Sequence, residues 1–379
     1  MISIFYWGPF IDNKIATVKA IYNSALGINK YSKKFRAKII NSIGEWNYLI
    51  DEENSENFLN QKNNILNFLP KYGFIKSRIS YILIFIFCFF QLLKILKKHK
   101  PDIFIAHLIV SLPLVLFKIF NFRSKLIIRI SGKPKLNIVR QLVWKSCSKN
   151  VYKIFCPTNE TKKILVNKGI FKSEKIFVLN DPVFKIKEYY FLKKDKTFDK
   201  RFEKNNIIMV GRLTHQKNFD LIIDAYAENE TLKKKYKIFI MGAGELENRL
   251  KKKVKFYNLD TRIVFLGHKK NVIKYIKDSK LFISSSLWED PGFVIIEAAL
   301  SNIPIISSDC PSGPKEIINE NELGGYLFKN NSKKDLNKKI NQFFLEDKNI
   351  IFKKKIYVKK NIKKFSVFNH VNLMQKYLL

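Results

Sequence analysis

The second half of the chain alternates short apolar runs with amphipathic stretches, and this alternation constrains the fold more than any other feature. The apolar runs read, in order, IIMVG, KIFIMG, RIVFLG, KLFISSS, IPIISS and GYLF. The segments between them, such as NFDLIIDAYAE and LENRLKKKVKFY, carry apolar residues at helical spacing. Strands that alternate with helices predict a parallel sheet covered on both faces, with ligands bound at the carboxyl ends of the strands.

The first half shows the same alternation. Four runs read as buried parallel strands: 2–7 (ISIFYW), 102–107 (DIFIAH), 125–132 (KLIIRISG) and 153–158 (KIFCPT). We therefore predict an α/β protein built from two Rossmann-like doubly wound domains. The predicted divisions are a first domain at 1–185, a linker at 186–205, a second domain at 206–345 and C-terminal helices at 346–379 that pack back on the first domain.

The charge balance points to an anionic partner. The 379 residues include 70 Lys and Arg against 32 Asp and Glu, a formal net charge of +38. Such a charge attracts nucleic acid, a membrane leaflet or phosphorylated small molecules. The base composition of an AT-rich genome, which also favours Lys, Asn, Ile and Phe, is an alternative cause of the excess. Arginine is scarce and no aromatic-studded basic ribbon occurs, so nucleic acid is not the expected partner.

The cysteines and the N-terminus predict a cytoplasmic protein. Cys88, Cys147, Cys156 and Cys310 form no C-x-x-C pair, so neither a disulfide framework nor a zinc site is indicated. The N-terminus, MISIFYWGPF, lacks the pattern of a secretory signal and resembles a first buried strand.

The most apolar segment is 79–96, ISYILIFIFCFFQLLKIL. It is just long enough to raise the question of a membrane span. Gln91 and Lys94 interrupt its end, and it runs directly into a helix-to-strand junction. We therefore favour a core helix or a helix on the membrane surface over a spanning one.

Two loops that follow strands of the second half are candidate binding loops, one because of its cations and the other because of its glycines. The loop RLTHQKN places Arg212 and Lys217 five residues apart at a strand's carboxyl end. Two cations there suit a diphosphate, although a solvated basic loop would have the same sequence. Gly242 and Gly244, in IMGAGELENRL, predict a tight strand-to-helix turn near a nucleotide; the third glycine of the dinucleotide pattern is missing.

The stretch 286–300, SLWEDPGFVIIEAAL, follows a strand and combines acids with a Pro-Gly turn. Gly292, Phe293 and Val294 lie at a predicted helix N-terminus, where free amides and the helix dipole favour an anion. Glu289 lies in the turn and Glu297 inside the apolar helix, so both carboxylates can reach one ligand and accept hydrogen bonds from its hydroxyl groups. A solvent-facing acid remains the alternative for each.

Taken in order, these motifs resemble the retaining glycosyltransferases of family 4, which have the two-domain GT-B fold. The resemblance covers about 120 residues and includes GRLTHQKN, MGAGELENRL, the stretch from FLGHKKN to GPKEII, and GGYLF. It implies two domains facing each other across a cleft, with the acceptor on the first and a nucleotide-sugar donor on the second.

The resemblance also implies roles for individual residues. Arg212 and Lys217 would hold the donor's diphosphate, Glu297 its ribose, and Glu289 with the amides near Phe293 and Val294 its sugar. Family members often carry a histidine beside the donor sugar, and His107 follows a strand in the matching position; a core histidine is the alternative. The family's Gly-Gly loop after the first strand is replaced by WGPFIDNKIATVK.

The expected activity is the transfer of a sugar from a nucleotide diphosphate to a glycan or lipid-linked saccharide. Within the family, UDP is more frequent than GDP as the nucleotide of the donor. Bacterial surface polysaccharide or lipopolysaccharide synthesis is the usual setting. No D-x-D motif occurs, so we expect no divalent metal and no other cofactor. The charge and the apolar segment predict a peripheral position on the inner face of the cytoplasmic membrane.

Two alternatives remain open from the sequence. The first is a related enzyme of the same fold that does not glycosylate a polymer, such as a nucleotide-sugar epimerase or a phosphorylase. The second is a basic protein that binds nucleic acid or a membrane surface through its charge alone.

Overall fold

A computed structural model of the chain describes residues 1–13, 15–50, 55–60, 64–70, 74–131, 134 and 136–379, with the backbone alone for 74–78. The described residues divide into two units, one made of Met1–Val183 and Val367–Leu379 and the other of Phe184–Ser366. Each unit is built on its own parallel sheet with helices between the strands, as the sequence predicts.

The sheet of the first unit has seven parallel strands in the order β3-β2-β1-β4-β5-β6-β7 among the described residues. The strands are β1 (Ile2–Trp7), β2 (Phe35–Asn41), β3 (Phe58–Asn60), β4 (Ile103–Ala106), β5 (Lys125–Arg129), β6 (Val151–Cys156) and β7 (Ile176–Val178). The helices between them are α1 (Ala16–Tyr31), α2 (Phe74–His99), α3 (Ser111–Ile119), α4 (Ile138–Cys147) and α5 (Asn159–Asn167).

Alternating side chains of these strands enter two separate cores. In β1, Ile4 and Tyr6 join the core under α1, whereas Phe5 and Trp7 join the core under α2, α3 and α4. A strand buried on both faces must be apolar throughout, which explains why its sequence reads as one continuous run.

The second unit has a six-stranded parallel sheet in the order β10-β9-β8-β11-β12-β13. Its strands are β8 (Ile207–Val210), β9 (Ile238–Met241), β10 (Ile263–Gly267), β11 (Leu281–Ser284), β12 (Ile305–Ser308) and β13 (Tyr326–Phe328). Its helices are α6 (Ile186–Lys194), α7 (Phe219–Glu228), α8 (Glu230–Lys235), α9 (Glu247–Phe256), α10 (Ile273–Lys277), α11 (Phe293–Leu300), α12 (Pro314–Ile318), α13 (Lys333–Leu345) and α14 (Lys348–Asn361). β8 and β11 are neighbours, so the loops that follow them lie side by side.

The boundaries of the units differ from the predicted ones. The stretch predicted as a linker, 186–205, begins with α6, which is anchored within the second unit where the Tyr189 hydroxyl donates to the Leu300 carbonyl oxygen at 2.6 Å. At the C-terminus, α14 also belongs to the second unit, and only the last helix, α15 (Val367–Leu378), returns to the first, where it packs on α1.

Two further details of the first unit differ from the sequence reading. The sequence reading omits β2, β3 and β7, which are three of the seven strands. The strand predicted at 125–132 ends at Arg129, and Gly132, the end of that prediction, lies outside the described residues.

Candidate functional site

Glycines bring the loops after β8 and β9 into direct backbone contact. Gly242 has a φ of +142°, and a Cβ there would lie 1.8 Å from the Gly211 carbonyl oxygen. At Gly244 a Cβ would lie 2.4 Å from the Leu213 carbonyl oxygen. Only glycine fits such an approach. Gly242 therefore has a packing role, because its contact fixes the position of the Arg212 loop. The nucleotide contact that the sequence predicts for Gly242 is a separate role and stays a prediction.

Hydrogen bonds tie the loop after β8 to the loop after β11. The Ser285 hydroxyl donates to the carbonyl oxygens of Lys217, at 3.0 Å, and Asn218, at 2.9 Å. The Leu287 amide donates to the Gln216 carbonyl oxygen at 2.8 Å, and the Gln216 side chain donates to the Trp288 carbonyl oxygen at 2.9 Å. These bonds hold the basic loop against the acidic turn.

Lys217 and Glu289 form an ion pair at this junction, Nζ to Oε1. The side chains are 15% and 5% exposed, so most of the pair is removed from water. The Ser286 hydroxyl donates to the same Oε1 at 2.6 Å. The other carboxylate oxygen, Oε2, accepts no hydrogen bond from the residues that the structure describes. Glu289 is therefore held by one oxygen and has the other available to a ligand.

Arg212 differs from Lys217 in its surroundings. Its side chain is exposed and forms no ion pair with any described residue. A guanidinium in this state keeps all of its N–H groups for a bidentate grip on an oxyanion. Of the two predicted cations, one is thus partly neutralised and the other is not.

Helix α11 begins directly after the acidic turn. Gly292, with a φ of +98°, precedes the helix, and its carbonyl oxygen accepts from the amides of Ile295, at 3.0 Å, and Ile296, at 3.3 Å. The amides of Phe293 and Val294 come before the first helical hydrogen bond, at the positive end of the helix dipole. Both residues are partly exposed. These amides can therefore receive an anionic group.

Glu297 lies on the accessible side of α11. Its side chain is partly exposed, whereas Ile295, Ile296, Ala298 and Ala299 are buried. It follows Phe293 by four residues, so the two share a helix face. The apolar residues next to Glu297 in the sequence pack into the core on the other sides of the helix. The carboxylate of Glu297 stays partly exposed.

His107 belongs to the first unit and directly follows β4. Its amide donates to the Trp7 carbonyl oxygen at 2.9 Å. The ring is half-buried, and its Nδ1 is buried without a hydrogen-bond partner among the described residues. Burial, together with the charge of Arg129, lowers the pKa of His107 well below its usual value, so the ring is neutral at pH 7. Gly8 lies beside it: a Cβ there would be 3.1 Å from the His107 Cβ.

A cavity of about 10 Å³, about the room that one water molecule needs, adjoins His107. Its lining includes the buried ion pair of Arg129 and Asp181, which are 3% and 6% exposed. The sequence analysis missed this pair. The arginine inside the apolar run KLIIRISG was the available signal, because a buried charge needs a partner.

A series of hydrogen-bonded side chains lines the same cavity and includes His370 of α15. The Ser24 Oγ lies 2.8 Å from the Tyr6 hydroxyl and 2.7 Å from the His370 Nε2. The His370 Nδ1 lies 2.7 Å from the Asn180 carbonyl oxygen, which can only accept, so the proton of the neutral ring is on Nδ1. Burial lowers the pKa of His370 to about 4.

Glu45, in the turn after β2, is another buried group that the sequence analysis missed. It is 1% exposed and accepts from the amides of Ser42, at 3.2 Å, and Ile43, at 2.7 Å. Burial raises the pKa of Glu45 to about 7, and the amide hydrogen bonds only partly offset this rise.

One family model matches the segment of the chain that contains these loops. Residues 192–365 match the family model described as glycosyl transferases group 1. The segment contains Arg212, Lys217, Glu289 and Glu297, whereas His107 lies outside it.

Curated relatives carry glycosyltransferase names. An uncharacterized glycosyltransferase of Methanocaldococcus jannaschii is 31% identical over 247 residues, 60% of this chain and 61% of the relative. The amylovoran biosynthesis glycosyltransferase AmsD of Erwinia amylovora is 28% identical over 69% of this chain and 73% of the relative. An Escherichia coli UDP-Gal:alpha-D-GlcNAc-diphosphoundecaprenol alpha-1,3-galactosyltransferase is 27% identical over 64% and 66%. The chain spans about 61% of the length of the first of these relatives.

Solved structures share the fold over the whole chain. A glycosyltransferase from Rickettsia africae superposes with a TM-score of 0.75 at 17% identity, over 99% of this chain and 97% of its own. The Anabaena protein HepE, solved in complex with UDP, gives a TM-score of 0.72 at 15% identity, over 100% and 99%. At these identities the likeness establishes the two-domain α/β fold.

Proposed function

We propose that the chain is a retaining glycosyltransferase that moves a sugar from a nucleotide diphosphate, with UDP favoured, to a glycan or a lipid-linked saccharide. The observation that carries the proposal is the junction of Lys217 and Glu289 beside the open start of α11, inside the segment that matches the family. The relatives' names support the setting, since they include amylovoran biosynthesis and transfer from UDP-Gal to a diphosphoundecaprenol-linked sugar. Surface polysaccharide or lipopolysaccharide synthesis at the cytoplasmic face of a bacterial membrane is the setting we propose.

The donor's diphosphate would be held by Arg212, by Lys217 and by the amides of Phe293 and Val294. Lys217 has three N–H groups, and its contact with Glu289 occupies one of them, so two remain for phosphate oxygens. These groups stabilise the negative charge that develops on the diphosphate as it leaves, which lowers the barrier to transfer.

The carboxylates and His107 would hold the donor's hydroxyl groups. Glu297 accepts from the ribose hydroxyls, and the Oε2 of Glu289 accepts from a hydroxyl of the sugar. A neutral His107 donates or accepts one hydrogen bond to the sugar without adding charge, because its lowered pKa keeps the ring unprotonated.

In the proposed reaction no protein nucleophile takes part. The bond between the sugar's anomeric carbon and the phosphate oxygen breaks, and the acceptor oxygen forms its bond on the same face of the sugar. The acceptor's proton goes to an oxygen of the departing phosphate. We propose that no divalent metal is needed, because no D-x-D motif is present and the cations and amides supply positive charge. Activity that survives excess EDTA is the expected result.

A panel of labelled UDP- and GDP-sugars, assayed with lipid-linked and soluble saccharides, tests the proposal. Transfer of label to an acceptor supports it, and retention is read from the anomeric configuration of the product. An altered nucleotide sugar or a free sugar phosphate as the main product would instead favour an epimerase or a phosphorylase.

Binding of UDP gives a second, independent readout. We expect Glu297→Gln to weaken UDP binding roughly 10- to 100-fold, because a hydrogen bond to a charged group contributes about this much to affinity. The matched control is Glu320→Gln, which removes an exposed acid of the same unit and should change nothing. If the protein binds only nucleic acid or vesicles, in a salt-dependent way that Glu297→Gln leaves unchanged, the enzymatic proposal fails.

A further inference from the structure

Helix α2 has one face that is part of the protein core. Its buried residues recur every three or four positions and join the core of the first unit: Ile84, Cys88, Leu92, Ile95 and Leu96. The polar Ser80 and Gln91 are satisfied by the protein, since they donate to the carbonyl oxygens of Pro70, at 2.6 Å, and Ser42, at 3.0 Å.

The opposite face of α2 is exposed and changes from apolar to basic along the helix. We call it the exposed stripe: Ile79, Ile82, Ile86, Phe90, Lys94 and Lys97. Phe90 is 75% exposed and Ile82 60%. At 1.5 Å per residue the stripe is about 27 Å long. Phe87 and Lys98 are also exposed and, eleven residues apart, lie on the same side of the helix, where they widen the stripe.

Length and hydropathy alone do not distinguish a membrane-spanning helix from a helix that has one face in the core and the other exposed. Ile79–His99 is long and apolar enough to cross a bilayer, the one such helix among the described residues, and 33% of its most apolar window is buried. A spanning helix would meet lipid on all sides unless other spans covered it, whereas the inner face of α2 is built into a soluble-type core. A helix with one face in the protein can meet lipid only with the other face.

We propose that α2 lies flat on an anionic lipid bilayer. The apolar part of the exposed stripe enters the boundary between headgroups and acyl chains, and Lys94, Lys97 and Lys98 contact lipid phosphates. The charges select this occupant over a second copy of the chain, because self-association through the stripe would bring the lysines of two proteins with a net charge of +38 together. This inference does not depend on the proposed enzymatic activity.

Co-sedimentation with lipid vesicles, without any nucleotide sugar, tests the proposal. The wild-type protein should bind phosphatidylcholine vesicles that contain phosphatidylglycerol and should bind pure phosphatidylcholine far more weakly. Lys94→Gln/Lys97→Gln/Lys98→Gln should weaken binding about 100-fold, since each lysine near an anionic surface contributes about fivefold. Ile86→Ser/Phe90→Ser should weaken it at least about tenfold.

Matched variants in the other unit control for charge and for exposed aromatic area. Lys234→Gln/Lys235→Gln/Lys252→Gln removes the same charge, and Phe256→Ser removes a side chain that is 80% exposed. Both should bind vesicles as the wild type does. Equal urea denaturation curves show that a variant is folded.

Four outcomes would overturn the proposal. The first is a wild-type protein that stays in solution with anionic vesicles at low salt. The second is equal loss of binding in the stripe variants and their controls. The third is resistance to extraction by alkaline carbonate, which would indicate a span. The fourth is a dimer in solution that Phe90→Ser dissociates, which would make a second copy the occupant.

Discussion

The Nζ of Lys217 contacts the Oε1 of Glu289, and the Ser286 hydroxyl donates to that same oxygen. The resemblance to family 4 implies that the two charged residues hold different parts of a donor, the diphosphate and the sugar. The contact couples these two parts of the candidate site, because any ligand that draws Lys217 away also changes what Glu289 can accept.

We first predict that the two partners of this pair differ in their effects on stability. Lys217→Met leaves a carboxylate that is 95% buried without its counter-charge, so it should lower the free energy of unfolding by roughly 3 kcal/mol. Glu289→Gln leaves a lysine that reaches solvent and keeps the Ser286 contact, so it should cost only about 1 kcal/mol. Urea denaturation measures both.

The double variant Lys217→Met/Glu289→Gln is the control for that prediction. It removes both charges and should recover most of the stability that Lys217→Met loses. UDP affinity should remain low, because the cation is still missing. If Lys217→Met is as stable as the wild type, the pair does not act as a buried ion pair.

Gly242 provides the second prediction. Gly242→Ala should destabilise the second unit by roughly 3 kcal/mol or more, because the new Cβ would lie 1.8 Å from the Gly211 carbonyl oxygen. Gly267→Ala is the matched control: its φ is also positive, +70°, but a Cβ there meets no atom within 4 Å. It should cost only about 1 kcal/mol. Similar losses in the two variants would contradict the proposed backbone contact.

The third prediction concerns acid. The unfolded chain protonates its histidines near pH 6.5, whereas the pKa of His370 in the folded protein is about 4. Between these values the unfolded state binds the extra proton, so stability falls as the pH drops from about 6.5 to 4, by about 3 kcal/mol. His370→Gln should lose this part of the acid sensitivity in denaturation curves measured at several pH values. The exposed His268→Gln should behave like the wild type.

Glu45 should act in the opposite direction, which is the fourth prediction. Its pKa is about 7 in the folded protein and 4.5 when the chain is unfolded, so the folded state binds the extra proton between these values. Stability therefore falls as the pH rises from about 4.5 to 7, by about 3 kcal/mol. Glu45→Gln should flatten this dependence. Glu174→Gln, at an exposed acid of the same unit, should not.

Much of the second unit could be predicted from sequence because its strands are buried on both faces. Each predicted run there contains a strand of the structure, with ends that differ by two residues at most. The loops of the candidate site follow from these strands, because parallel strands place their carboxyl ends at one edge of the sheet.

The missed parts of the first unit lack that continuous apolar signal. In β2 the exposed Arg36 and Lys38 alternate with the buried Phe35 and Ala37, and β3 and β7 have three residues each. The apolar run around Arg129 indicates that a partner is needed, but no local pattern indicates that the partner is Asp181, 52 residues away. The contact of Lys217 with Glu289 is of the same kind, since it depends on how two loops meet rather than on either loop alone.

The return of α15 has a consequence for synthesis on the ribosome. Val367, Val371, Met374 and Leu378 complete the core that lies over Ile4 and Tyr6. The first unit therefore cannot complete this core when residue 183 emerges, and the surface that α15 covers stays exposed while the whole second unit is translated. The second unit is continuous in sequence and can fold first, which reverses the usual order in which domains mature along a nascent chain.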